Sequence, residues 1–188
     1  CSFKPDDKPT NPNKQEWDTY YNQTIVKTIR WAKYHQYDGV IIGDVSITPM
    51  AVLLNTQNVS DFGHIKITSL GEAACIVAKQ SGNTFSMIIG YKHLIPRFKE
   101  NLIKHGFEDA FKNFHVLYDG DLTEQKEFHW DKKTILNTAR TALQQDKCGA
   151  IILAACCDLE TCGMVQTRYP KIPMIYPEMA AMKYCEML

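Results

Sequence analysis

"GAIILAAC", residues 149–156, runs eight residues without a charge before a second cysteine and Asp158. It is far too short for a transmembrane helix, which needs roughly 20 apolar residues. It is also too uniformly apolar for a strand with one face in water. Three further stretches have the same character: "GVIIGD" (39–44), "FSMIIG" (85–90) and "FHVLYDG" (114–120). Between them the period changes. Trp17, Tyr21, Ile25, Ile29 and Ala32 recur at three- and four-residue spacing, predicting an amphipathic helix that ends near Gln36. Leu94, Phe98 and Leu102 share a face of a second helix, and Ile135, Ala139, Ala142 and Leu143 one of a third. Apolar strands alternating with amphipathic helices predict an α/β fold, with parallel sheets covered by helices on both faces.

Composition narrows the function classes. The 188 residues are 45% hydrophobic, and 21 basic side chains balance 21 acidic ones. No net field steers such a chain to nucleic acid or an anionic membrane. The seven cysteines, at 1, 75, 148, 156, 157, 162 and 185, are odd in number and sit mostly in apolar runs. That usage suits a reducing, cytoplasmic setting, where a free thiol behaves as a small buried hydrophobe. Residues 1–14 begin "CSFKPDDKPTNPN" and read as a polar tail or tether. A lipoprotein anchored through Cys1 is the alternative to a cytoplasmic protein.

In α/β folds, ligands gather beyond the C-terminal ends of the strands. Two such ends correspond: Ile41-Ile42-Gly43-Asp44-Val45-Ser46 and Leu153-Ala154-Ala155-Cys156-Cys157-Asp158. After each come a helix, a strand and then a repeated corner. "IKITS" leads into "LGEAACIVA" (70–78), and "IPMIY" leads into "YPEMAAMKY" (176–184). Glu72 lies 28 residues past Asp44, and Glu178 lies 22 past Cys156. The repeat predicts two related halves, residues 15–84 and 85–188, each contributing one reactive side chain to a cleft between them.

With these motifs on the page, the chain resembles the aspartate/glutamate/hydantoin racemase superfamily, most closely its hydantoin racemase branch. The resemblance runs from about Trp17 to the C-terminus. It rests on "YDGVIIGD", "LGEAAC", "FSMIIGY…IPRFKENLIKHG", "GAIILAACC" and "IPMIYPEMAAMKY", in that order. It implies a cofactor-independent racemase or isomerase that moves a proton at a carbon beside a carboxylate or carbonyl. The substrate implied is a small amino-acid-like or hydantoin-like acid, and a homo-oligomer is a further expectation. The family uses two thiols facing each other across the cleft. Here the first is replaced by Asp44, and the second aligns with Cys156 or, with a one-residue slip, Cys157; spacing favours Cys156. The family's first strand has no counterpart in these residues.

The chemistry explains why each half must give a group. A carbon acid beside a carboxylate needs a positioned base on one face, a proton donor on the other, and stabilisation of the developing enolate. Helix-start N–H groups can hold the substrate carboxylate. Ser46 and Thr48 are candidate extra donors, Thr161 a weaker one, and Cys157, Glu72 and Glu178 complete the candidate binding set. Each residue also has a plainer role. Asp44 can cap the next helix, Cys156 and Cys157 can be inert core thiols, and Glu72 and Glu178 suit helix N-termini electrostatically. No metal is expected, since adjacent cysteines point apart and no histidine follows at ligand spacing. The six histidines read as surface residues. Neither a phosphate loop nor a nucleophile elbow occurs. Two other classes fit the same residues: a single-thiol decarboxylase using Cys156 alone, and a small-acid binding protein that keeps the cleft without the chemistry.

Overall fold

A computed structural model describes residues 14–43, 45, 65–119, 131–155 and 158–188. Helix α1 (Lys14–Tyr34) leads into strand β1 (Gly39–Ile42). Strand β2 (Lys66–Ser69) runs directly into α2 (Leu70–Gly82). Then follow β3 (Phe85–Tyr91), a short 3-10 turn, α3 (Ile95–Lys104) and β4 (Phe111–Tyr118). The chain closes with α4 (Lys132–Asp146), β5 (Ala150–Ala154), α5 (Leu159–Arg168), β6 (Met174–Ile175) and α6 (Pro177–Met187). The strands form two sheets, β1-β2 and β4-β3-β5-β6, and every pairing is parallel. The expected α/β class is what the chain adopts. Among the described residues, no helix is long and apolar enough to cross a membrane. The expected polar tail falls, apart from Lys14 in α1, outside the described residues, as does the side chain of Trp17.

The larger sheet shows why its inner strands carry no polar face. Met87 and Ile89 of β3, with Ile152 and Ala154 of β5, enter one core with Phe98 and Leu102 of α3. Their neighbours Ile88, Ile151 and Leu153 enter a second core on the opposite face, with Ile135, Ala139 and Ala142 of α4. Alternation along a strand sends successive side chains to opposite faces, so a strand covered twice must be apolar throughout.

The repeated corner has a structural consequence. Helix α2, which follows β2 of the small sheet, packs mainly on β5 and α6. Helix α6, which follows β6 of the large sheet, packs on β1 and β2 as well as on α2. The two corner helices thus exchange sheets and meet each other. Their Ala pairs, Ala73–Ala74 and Ala180–Ala181, lie in one buried cluster. Small side chains let two helix backbones come close, and so the same two-Ala pattern occurs in both corners.

His115 departs from the surface expectation. It sits on β4 with its side chain 8% exposed, and its Nε2 lies 2.6 Å from Asp146 Oδ2. Ser86 Oγ donates to the same oxygen at 2.6 Å. The cluster ties the last turn of α4 to the start of β3 and the middle of β4. Burial pushes the Asp146 carboxyl up, but hydrogen bonds from Ser86, His115 and Asn113 and the charge interaction with His115 outweigh it, and the pKa falls below its ordinary value. A carboxylate with a lowered folded-state pKa contributes stability above its unfolded pKa of about 3.9, and that contribution is lost as pH falls through the folded value. Asp146→Asn should therefore cost about 1–3 kcal/mol at pH 7. The gap to the parent should close progressively in thermal melts below about pH 4. A gap that stays constant with pH would show that the ionised form contributes nothing.

Candidate active site

The site expected at the ends of β1 and β5 is approached through residues on either side of its reactive groups. Asp44, Ser46, Thr48, Cys156 and Cys157 lie outside the described residues. Gly43 and Val45, which flank Asp44, are described, and Val45 packs against the core that holds Ala73, Ala154, Ile175 and Ala180. Ala154 and Ala155, just before Cys156, are buried, and Asp158, just after Cys157, starts α5. Residues one or two positions from Asp44 and from Cys156 therefore belong to or pack on one core, the one built around the exchanged helices.

Two of the described helix starts at this end are capped by side chains, those of α2 and α5, whereas α6 after Tyr176 has no side-chain cap. Ser69 is the N-cap of α2, and its Oγ accepts from the Glu72 N–H at 3.0 Å. The Glu72 carboxyl in turn accepts from the Ser69 backbone and lies 3.5 Å from Thr68 Oγ1. This is a reciprocal capping box, and it explains a Glu three residues after a Ser at the strand-to-helix corner. Burial raises the Glu72 pKa against the lowering effect of those hydrogen bonds. At α5 the carboxylate of Asp158 accepts from the Thr161 N–H at 2.6 Å. Thr161 itself is buried, so its own N–H serves the helix and not an incoming anion. Glu178 stands in the first turn of α6.

The described thiols divide by environment. Cys75 is fully buried in α2, and burial first, then the Glu72 charge, pushes its pKa well above the ordinary thiol range. Cys162 in α5 is raised by burial and by the Glu178 charge, and its Sγ lies 3.9 Å from the Met174 carbonyl. Raised pKa values leave little thiolate, so these two are poor nucleophiles and poor bases. Cys148 is also buried. Iodoacetamide at neutral pH should label Cys156 ahead of Cys75, Cys148 and Cys185. Peptide mapping after partial labelling reads the order, and uniformly slow labelling would remove Cys156 from the mechanism.

Sequence reasoning did not find Thr68, which is fully buried at the end of β2 and in reach of Glu72. A Thr-Ser pair closing a strand before a Glu at the third helix position is the signal that marks it.

No protein-family model and no curated protein sequence matches the chain. Solved structures do match. Allantoin racemase from Klebsiella pneumoniae aligns with a TM-score of 0.73 at 19% identity, over 96% of this chain and 70% of that one. An arylmalonate decarboxylase aligns with a TM-score of 0.69 at 12% identity, over 95% of this chain and 77% of that one. The maleate isomerase Iso from Pseudomonas putida S16 aligns with a TM-score of 0.59 at 15% identity, over 88% and 68%. At such identities the likeness is one of fold, and this chain has the fold of the aspartate/glutamate/hydantoin racemase superfamily.

Proposed function

We propose that the protein is a cofactor-independent racemase or isomerase acting at a carbon beside a carboxylate or carbonyl of a small acid. Asp44 and Cys156 are its opposed acid–base pair, one from each half of the chain, 15–84 and 85–188. The observation that supports this most is the exchange of α2 and α6 between sheets, which draws the neighbours of both residues into one core. Structural neighbours that include a racemase, an isomerase and a decarboxylase support proton chemistry of this kind. Asp44 removes the proton from one face, Cys156 delivers one to the other, and the roles reverse for the opposite enantiomer. Ser46, Thr48 and Cys157, with Glu72 and Glu178 behind the helix starts, form the substrate-binding set. The arylmalonate decarboxylase match favours a second reading, in which Cys156 alone reprotonates a planar intermediate after carbon dioxide leaves.

Deuterium separates the readings. Single enantiomers of amino acids, hydantoins and allantoin, together with maleate and arylmalonates, are incubated with the protein in D2O and followed by NMR. An Asp44/Cys156 racemase should place deuterium at the stereocentre as the substrate inverts, because both groups exchange with solvent before returning a proton. The starting enantiomer should gain little label at first. A one-thiol decarboxylase would release carbon dioxide and give one labelled enantiomer. Ligand-dependent rise in melting temperature with no deuterium uptake across the panel would identify a binding protein and overturn the isomerase reading.

A further inference from the structure

We propose that Lys132, the first residue of α4, is a positioning residue for the second-half thiol, offsetting the carboxylates that start α5 so that Cys156 can ionise. The inference rests on the reading of Cys156 as one of the opposed acid–base pair.

A helix start and a thiolate favour opposite charges. Carboxylates stabilise the N-terminus of a helix, where the backbone dipole is positive. α5 follows that rule, with Asp158 as its N-cap and Glu160 in its first turn. Both lie just past Cys156 in the chain, at the second and fourth residue after it. Consecutive Cα atoms are about 3.8 Å apart, so Asp158 Cα lies within about 8 Å of Cys156 Cα by any path between them. Two negative charges there oppose a third on the sulfur.

α4 breaks the same rule. It opens on Lys132 and Lys133 with no acidic residue in its first turn, and its N-cap Asp131 makes no side-chain cap hydrogen bond. Two cations at a helix start are locally unfavourable, so the reason for them lies outside α4. For Lys132 that reason is α5. Its Nζ donates to Glu160 Oε1 at 2.5 Å. The hydrogen bond to Glu160 first, and then the charges of Glu160 and Asp158, raise the Lys132 pKa. The hydrogen bonds from Thr161 first, and then the Lys132 charge, hold Asp158 below its ordinary value. The ammonium therefore acts on both carboxylates.

Its role is electrostatic and not mechanical. The pair is exposed, 47% for Lys132 and 78% for Glu160, and exposed pairs hold helices together only weakly. The chain on either side of residues 156–157 is anchored without it, by the buried β5 before and by buried Thr161 and Cys162 after. A unit charge about 10 Å from a thiol changes its ionisation by roughly twofold at an effective dielectric of about 80, and by roughly fifteenfold at about 20.

The test is the pH profile of iodoacetamide labelling at Cys156 in the full chain, read by peptide mapping with fragmentation between Cys156 and Cys157. At about 10 mM ionic strength, where charges act over about 30 Å, Lys132→Gln should slow labelling at neutral pH by about threefold or more and move the midpoint of the profile up. Lys132→Arg keeps the charge and should label like the parent. Glu160→Gln removes a carboxylate and should label faster than the parent. At about 1 M salt, where charges act over about 3 Å, the variants should converge. Asp131 and Lys133 of α4 and Glu178 of α6, the other charged groups at these helix starts, are the same in every variant. If Lys132→Gln melts well below the parent, Glu160→Gln carries the test with its opposite sign. Equal labelling by Lys132→Gln and the parent overturns the proposal and leaves Cys156 reactive. So does a loss that Lys132→Arg shares or that persists at high salt, since either marks a packing role. A parent whose Cys156 labels no faster than buried Cys75 removes the reactive thiol and this proposal together, so the parent alone tells the two failures apart.

Discussion

Asp44→Asn and Cys156→Ser should each lower the rate of inversion by about a thousandfold or more, within the 10²–10⁴ range that a positioned acid or base contributes. Asn keeps the shape of the carboxylate and removes its basicity, and Ser keeps a proton donor but raises its pKa far above that of a thiol. Both changes are close to isosteric, so ligand binding and the melting temperature should stay near those of the parent. Isotope exchange without inversion distinguishes the two roles. In Asp44→Asn, the enantiomer whose proton faces Cys156 can still be deprotonated and reprotonated from that face, so it should exchange label slowly without changing hand. In Cys156→Ser the other enantiomer should do so through Asp44. The measurement is NMR of each enantiomer in D2O with each variant, on whichever acid the parent turns over. If Asp44→Asn inverts substrate at the parent rate, Asp44 is only a helix cap, and the pair must be sought elsewhere.

The sequence carried some of this architecture and hid the rest for identifiable reasons. Strands β3 and β5 were legible because burial on both faces leaves no room for a polar residue, and the structure places them inside the larger sheet. The faces of α1 and α4 were legible from period alone: Ile25, Ile29 and Ala32 are buried, as are Ile135, Ala139 and Ala142. The repeated corner was visible, but its meaning was only half readable. Pattern reveals that a helix has a small-residue face, and only tertiary structure reveals which sheet or helix that face meets. Helices α2 and α6 each pack on the sheet to which their preceding strand does not belong, and nothing local to either helix distinguishes that from staying on its own strand's sheet. β1 misleads for the converse reason: none of its four residues is buried, since apolarity records what a strand can tolerate against its faces and not how far they are covered. His115 escaped because its partner Asp146 lies 31 residues on, beyond any spacing rule. At the candidate site, Asp44 and Cys156 are proposed from the comparison of strand ends and lie outside the described residues, whereas the capping box at Ser69 and Glu72 follows the four-residue signature that the sequence displays.

Gly149→Ala should be strongly destabilising for so conservative a substitution. The last residue of α2, Gly82, crosses the residue before β5, Gly149, so closely that a Cβ at Gly149 would overlap the carbonyl oxygen of Gly82. In the other direction, a Cβ at Gly82 would lie 2.5 Å from the Gly149 carbonyl oxygen and 2.7 Å from the Ala150 nitrogen. All of these are backbone atoms, which no rotamer change can move aside. The backbone is also pinned on both sides. Gly149 N and Ala150 N each donate to Thr84 O at 3.0 Å, and Thr84 N donates to Gly82 O at 2.6 Å. Relief therefore requires pulling α2 away from β5, and with it the packing of α2 on the larger sheet. Overpacking of this kind costs typically 1–3 kcal/mol when side chains can yield, and here they cannot, so a loss of about 3 kcal/mol or more is expected for either glycine. For a chain of this size that corresponds to a fall of roughly 6–12 °C in melting temperature. Gly163, inside α5 with nothing within 4 Å of its added Cβ, supplies the control. Gly163→Ala should be neutral or stabilising by up to about 1 kcal/mol, since alanine is the better helix former. Thermal melts of the three variants decide it. A Gly149→Ala protein as stable as Gly163→Ala would mean that α2 does not press against the start of β5, and the helix exchange that joins the two sheets would lose its tightest contact.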